Sequence, residues 1–491
     1  MKRFSIILLI FAVLSCACNK PGGGSSTNTD QPETEKPEER PYRLTVDGKP
    51  FLMLGSQLRM DFFKYLDHKN LDELDKYFEL AASLNITVVQ LAFCWSDVET
   101  DYDVYTDETI KAYIDYCRSY DLKAEFLWFG SFMCGYSVEY YMPSYITKDE
   151  ETYLRFPVGG WDGWEGWTYY LRPGSTALLE RETKAIGKMM EFIDAYDREL
   201  GRPHTVIGIQ VENEPDMLPN RHYGVLGKSS SDLWPSMLHH LETMGRVVKQ
   251  SPYKCYTRVN FTLDEGYVKW SQQVFRRGGI DYIGLDPYVA DVNKIGELLT
   301  FLGSMEGNFP HIAENGGEFY NNDILTLKAL SMGGGYEVFE VVTTPDPQLK
   351  DWTLRGVYNP DFTPKGQTQR LIDAYAIFKG AWYDFATAPV ENIHGFNLQR
   401  SEGSDNTSES VSLDGSGLTW TTSARGVAFA IEGPEYITLA STKSDLFEFD
   451  RTPSSAETGH YNSAGDWISG GQVAIGASFR AQAGKIYRIK L

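Results

Sequence analysis

At 491 residues, the chain is long enough for one large enzymatic domain and a smaller second domain. Its formal net charge is −21 at pH 7 and it contains no basic cluster, so we expect no nucleic acid partner. Tyrosine and tryptophan are abundant, with 30 and 11 residues, and aromatic rings of this kind often pack against sugars. For any single tryptophan, burial in a large core is the alternative explanation.

Residues 1–18 predict a lipoprotein signal peptide. Two basic residues precede an apolar stretch, residues 4–14, that is too short to span a bilayer. The stretch ends in small residues and cysteine, which resembles a bacterial lipobox in which the thiol is lipidated. Cys16 is the expected lipidated residue, and Cys18 is the alternative. Residues 19–40 are rich in Gly, Ser, Thr, Pro and Glu and predict a flexible tether. We therefore expect a lipid-anchored protein of the bacterial cell envelope, on the outer membrane, the cell surface or the periplasmic face.

Strand and helix patterns alternate between residues 41 and 387. Short apolar runs are followed by stretches in which apolar residues recur at helical spacing. The first expected strand ends near Arg59, and the others lie at residues 86–93, 122–129, 205–211, 253–260, 280–286, 311–314 and 336–342. Eight strands separated by helices predict an α/β fold, a (β/α)8 TIM barrel with parallel strands. A segment rich in glycine and aromatic residues, 131–174, interrupts this alternation after the third strand.

Residues 388–491 have a different pattern. Short runs of alternating polarity lie between turns rich in Gly, Ser and Asp, as at residues 427–431 and 436–440. This pattern predicts a C-terminal antiparallel β-sandwich of about a hundred residues. The segment shows no catalytic arrangement, and either carbohydrate binding or support of the barrel would be consistent with it.

The end of the fourth strand carries a concentration of polar side chains. The apolar run 205–211 is followed at once by Glu212, Asn213, Glu214 and a proline, and strand seven ends in Glu314. The carboxyl ends of the strands form the active-site face of a TIM barrel. Cleavage of a glycosidic bond with retention needs two carboxyl groups, about 5–5.5 Å apart. The two strand ends therefore predict a pair of catalytic carboxyl groups.

The Asn-Glu-Pro segment resembles the acid/base signature of the retaining glycoside hydrolases of clan A. Residues 209–214 are similar to the same strand in glycoside hydrolase family 35, the β-galactosidase family. The resemblance implies that Glu214 is the acid/base, because the family's acid follows the asparagine. It also implies that Glu314 is the nucleophile and that Asn213 hydrogen-bonds the sugar 2-hydroxyl group.

Two further glutamates are alternatives for these roles. Glu212 lies two residues before Glu214, and side chains two apart on a strand share a face, so strand geometry does not choose between them. Glu318 lies four residues beyond Glu314 and is the alternative nucleophile. The carboxyl group that acts as acid near neutral pH needs a raised pKa, through burial or through a neighbouring negative charge.

The resemblance extends more diffusely to other strand ends. It implies that Tyr288, after strand six, hydrogen-bonds the nucleophile, and that Arg59 and Trp95, after strands one and two, contribute to substrate binding. A structural role is the alternative for Tyr288, and a salt bridge within the barrel is the alternative for Arg59.

The chain departs from the family after strand three. Family 35 carries an Arg-Gly-Pro-Tyr…Ala-Glu-Trp run that helps to hold galactose, whereas this chain has the segment 128–135, with Glu139 as the only nearby acid. Glu139 is therefore a candidate for substrate binding. Trp164 and Trp167, amid glycines, are expected to wall the cleft, with a self-packed surface loop as the alternative.

These features predict a retaining glycoside hydrolase, exo-acting and similar to β-galactosidases, with an oligosaccharide or polysaccharide as substrate. The alternatives are another clan A specificity (β-mannosidase, β-glucosidase or endo-glycanase) and a non-catalytic glycan-binding lipoprotein on a degenerate barrel. The remaining cysteines show no CxxC spacing and no histidine spacing indicates a metal site, so we expect neither metal nor cofactor.

Overall fold

The computed structural model describes residues 43–153, 156–158, 168–344, 355–398, 406–413 and 415–491. The predicted signal peptide and tether, including Cys16 and Cys18, lie outside these ranges, as do Trp164 and Trp167. Within the ranges, none of the helices combines the length and the low polarity that crossing a bilayer requires.

Eight parallel strands close into a barrel, which confirms the fold predicted from the sequence. The strands are β1 (Leu54–Leu58), β2 (Val88–Cys94), β3 (Lys123–Phe129), β4 (Val206–Val211), β5 (Tyr256–Phe261), β6 (Tyr282–Leu285), β7 (His311–Gly316) and β8 (Gly335–Phe339). Each strand pairs with the next along the chain, and β8 pairs with β1 to complete the ring.

A helix follows each strand along the chain. The helices are α1 (Asp75–Ser83), α2 (Glu108–Ser119), α3 (Thr176–Glu199), α4 (Ser230–Gln250), α5 (Tyr267–Arg276), α6 (Val292–Gly303), α7 (Asn322–Ser331) and α8 (Thr368–Gly380). Helix α3 shows why these segments fold as they do. Its Ser175 cap accepts a hydrogen bond from the amide of Leu178, and its apolar side chains at helical spacing form one buried face.

The barrel interior contains charged groups as well as aliphatic ones. Arg258 on β5 is fully buried; its Nε donates to Glu125 on β3, and its Nη2 lies 3.4 Å from Oε2 of Glu337 on β8. His311 on β7 places its Nε2 3.1 Å from the same oxygen of Glu337. A positive guanidinium group therefore lies inside the barrel, close enough to affect the ionisation of groups at its carboxyl end.

Two antiparallel sheets follow the barrel, in agreement with the predicted sandwich. Their strands are β9 (Ile393–Phe396), β10 (Thr407–Leu413), β11 (Ser416–Thr422), β12 (Ala428–Glu432), β13 (Ile437–Ser441), β14 (Leu446–Phe449), β15 (Ser455–Tyr461), β16 (Trp467–Gln472), β17 (Ser478–Arg480) and β18 (Ile486–Lys490). One sheet has the order β9-β12-β13-β18-β15-β16, and the other has the order β10-β11-β14-β17. Phe429 of β12 packs against Phe378 of α8, with 6.2 Å between ring centroids, so the sheets are supported by the barrel's outer helices.

Candidate active site

A cavity of about 310 Å³ lies at the carboxyl end of the barrel. Among the described residues, all strands except β2 contribute lining residues from their ends or from the loops that follow them. The segments that follow β3, β4, β5 and β6 contribute most of the wall. Aromatic rings and polar groups both face the cavity, and they include Phe129, Tyr141, Asn213, Glu214, Asp286, Tyr288, Glu314 and Phe339. The cavity is therefore placed where TIM-barrel active sites lie.

Glu314 reaches the cavity from β7. Its Oε2 accepts a hydrogen bond of 2.7 Å from the hydroxyl group of Tyr288, whose ring lies 4.0 Å from the guanidinium carbon of Arg355. Burial raises the pKa of Glu314 above its ordinary value, while the Tyr288 hydrogen bond and the charges of Arg258 and Arg59 oppose that rise. The surroundings of Glu314 thus include several groups that favour its ionised form.

Glu214 reaches the cavity from the turn after β4. Its backbone N–H donates to Oδ1 of Asn260 at 3.1 Å, and the thiol of Cys134 donates to its Oε2 at 3.4 Å. Burial, and then the negative charges of Glu314 and Asp216, raise the pKa of Glu214. Since a thiol is a weak donor, the proton is better retained on Glu214 than on Glu314.

A chain of amide groups fixes the orientation of Asn213 beside Glu214. Its Oδ1 accepts hydrogen bonds of 2.9 Å from both Gln210 and Asn260, and Asn260 also donates to the carboxylate of Asp286. Its Nδ2 lies 3.6 Å from the sulfur of Cys134. Because the oxygen already accepts two hydrogen bonds, the NH2 group is the part of Asn213 that can donate to a ligand in the cavity that it lines.

Glu212 and Glu318 do not line the cavity. The expectation that Glu212 shares a face with Glu214 is wrong, because β4 ends at Val211 and both glutamates adopt positive φ, 62° and 43°. Glu212 instead accepts hydrogen bonds from the N–H groups of residues 130 and 132, at 3.4 and 3.2 Å. The side chain of Glu318 lies over the backbone of Gly316. Only Glu214 and Glu314, of the four candidates, face the cavity.

The other candidates are divided between the cavity and the surrounding structure. Arg59 lines the cavity, and it also forms the alternative salt bridge, with two hydrogen bonds of 2.9 Å to Asp61; its part in substrate binding stays a prediction. Trp95 is buried away from the cavity and donates to Glu99 at 2.8 Å, and Glu139 is exposed to solvent. Trp95 lies behind the loop that follows β3, where the N–H of residue 96 donates to the carbonyl of residue 141. The geometry therefore does not bring Trp95 or Glu139 to the candidate site.

Sequence reasoning missed several residues of the cavity wall. Cys134 and Tyr141 come from the irregular segment after β3, and Arg221 and Asp264 form an ion pair at the wall, with contacts of 2.5 and 2.7 Å. Asp286 belongs to the Asp-Pro-Tyr sequence that ends strand six, which was the one available signal. The others belong to no motif, and their places depend on how the loops fold.

A family model described as a domain of unknown function (DUF4978) matches residues 237–403, a region that includes Glu314 but not Glu214. No curated protein matches the chain. Among solved structures, the exo-β-1,4-mannosidase Op5Man5 from Opitutaceae bacterium strain TAV5 is 12% identical, with 68% of this chain and 61% of that chain covered and a TM-score of 0.49. The β-galactosidase from the psychrophilic Marinomonas ef1 is 11% identical, with 67% and 60% covered and a TM-score of 0.49.

The endo-1,4-β-mannanase from Rhizomucor miehei is 15% identical, with 68% of this chain and 97% of that chain covered and a TM-score of 0.48. The matched part spans about three fifths of the mannosidase and of the β-galactosidase, as their coverage of 61% and 60% shows. A likeness this distant does not assign an activity to this chain.

Proposed function

We propose that the protein is a retaining glycoside hydrolase that cleaves β-glycosidic bonds. The observation that carries the proposal is the pair Glu214 and Glu314, which face one buried cavity from the ends of β4 and β7. Their side-chain donors differ, since within the described residues Glu314 accepts from a tyrosine hydroxyl group and Glu214 accepts from a thiol. Two carboxyl groups with unequal surroundings are what acid and nucleophile roles require.

In the proposed mechanism, ionised Glu314 attacks the anomeric carbon while protonated Glu214 gives its proton to the departing oxygen. The bond between sugar and leaving group breaks as the bond between sugar and Glu314 forms. Glu214, now ionised, then removes a proton from water, and the resulting attack releases Glu314 as a carboxylate. Asn213 donates to the sugar 2-hydroxyl group during both steps, and Tyr288 keeps Glu314 oriented.

The proposed specificity is exo action on a terminal β-linked sugar, with β-galactosides as the leading class. The resemblance of residues 209–214 to family 35 supports β-galactosides. A cavity of about 310 Å³ supports a short saccharide, because small-molecule sites range from about 300 to 1,000 Å³. Aromatic rings at Phe129, Tyr141 and Phe339 give the cavity surfaces on which a sugar ring can pack.

We also propose that the protein is anchored to the cell envelope through Cys16, with residues 19–40 as its tether. On this proposal the catalytic domain comprises residues 41–387, and residues 388–491 form an accessory domain. Trp164 and Trp167 remain proposed parts of the cleft wall. An enzyme held at the envelope would act on oligosaccharides or polysaccharides that arrive from outside the cytoplasm.

A panel of aryl β-glycosides tests the activity, and two variants test the roles. Glu314→Gln should abolish turnover of every substrate, because no glycosyl-enzyme can form. Glu214→Ala should lose turnover of substrates with poor leaving groups, should still react with activated aryl glycosides, and should regain turnover when azide replaces water as the attacking group. NMR of the first-formed sugar should show the same anomeric configuration as the substrate.

Glu318→Gln is the matched control, because it removes a nearby carboxylate that lies outside the cavity. It should hydrolyse the panel at the wild-type rate. Saccharide binding without hydrolysis by the wild-type protein would support a glycan-binding lipoprotein instead. An inverted product would contradict the double-displacement mechanism, and equal losses in both variants without azide rescue would contradict the assigned roles.

A further inference from the structure

Three buried side chains converge behind the turn that carries Glu214, on the side away from the cavity. They are Glu182 on α3, Glu212 after β4 and His240 on α4, with 0%, 0% and 2% of their surface exposed. Each offers a ligand atom, and these atoms all lie within 4.8 Å of one another. The Nε2 atom of His240 is 3.4 Å from Oε2 of Glu182 and 3.7 Å from Oε1 of Glu212.

The Nε2 atom of His240 points into this cluster, within ion-pair distance of both carboxylates. Among the described residues, no atom forms a hydrogen bond with its Nε2, although the atom is buried and both carboxylates lie near it. A buried ring nitrogen is normally hydrogen-bonded. A buried ring nitrogen that forms no hydrogen bond and faces two carboxylate oxygens is arranged as a metal ligand would be.

Donors outside the cluster hold both carboxylates in place. Glu182 accepts from the indole N–H of Trp128 at 2.9 Å and from the backbone N–H of Ser131 at 3.1 Å, and the Ser131 hydroxyl group also donates to it. Glu212 accepts from two backbone N–H groups of the same loop. Metal-binding carboxylates are typically oriented in this way by surrounding donors.

Lysine and arginine side chains of the described residues do not balance the charge of the cluster. Within the described part of the chain, no lysine or arginine forms an ion pair with Glu182 or Glu212; His240 is the partner of both. Two carboxylates in the interior are stable only when a cation or a shared proton compensates their charge. A divalent cation would compensate both.

We propose that Glu182, Glu212 and His240 bind one divalent transition-metal ion, with zinc as the best fit. Zinc binds His nitrogen and carboxylate oxygen at about 2.0–2.2 Å, so neighbouring ligands of a tetrahedral site lie about 3.3–3.6 Å apart. The 3.4 Å distance from His240 to Glu182 falls within that spacing, and the 3.7 Å distance to Glu212 lies just above it. Calcium and magnesium are poorer fits, because they take six or more oxygen ligands and avoid imidazole.

The ion would join four segments of the barrel wall. Glu182 and His240 belong to different helices, and Glu212 is bonded to the loop after β3 and lies two residues before Glu214. A metal ion here would therefore stabilise the backbone that carries Glu214 without facing the cavity. This role is structural, and it stands whether or not the protein hydrolyses glycosides.

Metal analysis of the purified protein tests the proposal. After unfolding in guanidinium with EDTA, the protein is refolded with Zn²⁺, Mn²⁺ or no metal, dialysed, and measured by inductively coupled plasma mass spectrometry. We expect about one zinc ion per chain after refolding with Zn²⁺. The melting temperature of the zinc-refolded protein should exceed that of the metal-free protein, because an ion that binds only the folded state stabilises it.

Neighbouring residues provide matched controls. His240→Gln and Glu182→Gln should lose the bound zinc and the zinc-dependent rise in melting temperature, whereas His239→Gln and Glu180→Gln, whose side chains are exposed on the same helices, should keep both. The proposal is overturned if wild-type protein with a native circular dichroism spectrum binds no zinc or manganese after dialysis, in which case a shared proton holds the cluster. It is also overturned if wild type and His240→Gln retain equal zinc, which would place the ion elsewhere.

Discussion

Removal of the Tyr288 hydroxyl group tests the proposed roles through the pH dependence of catalysis. In Tyr288→Phe, Oε2 of Glu314 loses its 2.7 Å hydrogen bond, and the other oxygen of Glu314 has no hydrogen-bond partner among the described residues. The ring and its packing against Phe339, 5.9 Å away between centroids, are retained. The variant therefore removes a donor to the proposed nucleophile and keeps the aromatic ring.

The size of the effect follows from the strength of that hydrogen bond. A hydrogen bond to a charged group contributes about 1.5–3 kcal/mol, and one pKa unit corresponds to about 1.4 kcal/mol. The Tyr288 bond lowers the pKa of Glu314, so its loss should raise that pKa by about 1–2 units, beyond the increase that burial already causes. Only the ionised carboxylate attacks, so the acid limb of the profile should move to higher pH by the same amount.

The measurement is kcat/KM against pH on the best aryl β-glycoside from the panel, together with the melting temperature of each variant. Tyr256→Phe is the matched control, because its hydroxyl group donates to a different buried carboxylate, Glu125, at 3.2 Å inside the barrel. Its acid limb should match that of the wild type. If the acid limb of Tyr288→Phe does not move in a variant with wild-type melting temperature, Glu314 is not the group whose ionisation limits the reaction.

Three further predictions concern stability, substrate recognition and localisation. Burial raises the pKa of Glu314 in the folded protein above its ordinary 4.5. The folded state therefore favours the protonated carboxyl group, and the resulting gain in the free energy of unfolding is present below pH 4.5 and is lost as pH rises through the raised pKa. Glu314→Gln should therefore melt above wild type at pH 8, and the difference should shrink towards pH 4; a constant difference would contradict the burial argument. Asn213→Ala should lower kcat/KM on a β-glycoside by a factor that corresponds to about 1–3 kcal/mol, and it should change kcat/KM on the 2-deoxy analogue little. Equal losses on both substrates would argue against the contact with the 2-hydroxyl group. Replacement of Cys16 and Cys18 together by Ala should release the protein from membrane pellets, and continued sedimentation with membranes would end the lipoprotein proposal.

The barrel could be predicted from the sequence because its signals are local and repeated. Most of the buried strands are short and largely apolar runs, most of the helices have an apolar stripe, and eight repeats of this pair leave few alternatives. The position of Glu214 and Glu314 at one cavity could also be predicted, because every strand of a parallel barrel ends on the same face. The carboxylate at a strand end is thus visible in the sequence whenever the strand itself is.

The walls of the cavity could not be predicted, because they depend on contacts between distant segments. Cys134 is held beside Glu214 by a 2.6 Å hydrogen bond from its N–H to the carbonyl of Asn213, which no local pattern in the segment after β3 reveals. The same segment covers Trp95 and leaves Glu139 in solvent, although both follow barrel strands. A loop with few periodic signals can adopt many paths, and the tertiary contacts select one.

The separation of Glu212 from Glu214 shows where the two-residue periodicity of a strand stops predicting side-chain direction. Side chains two apart share a face only while the backbone stays extended, and φ is 62° at Glu212 and 43° at Glu214. Positive φ is unfavourable for a glutamate, by roughly 1 kcal/mol or more, so other contacts must hold it. The two N–H groups that bind the Glu212 carboxylate supply such contacts, and they hold Glu212 beside His240 while Glu214 faces the cavity. The same turn therefore presents one carboxyl group for chemistry and buries the other in the wall, and a metal ion bound there would strengthen this arrangement.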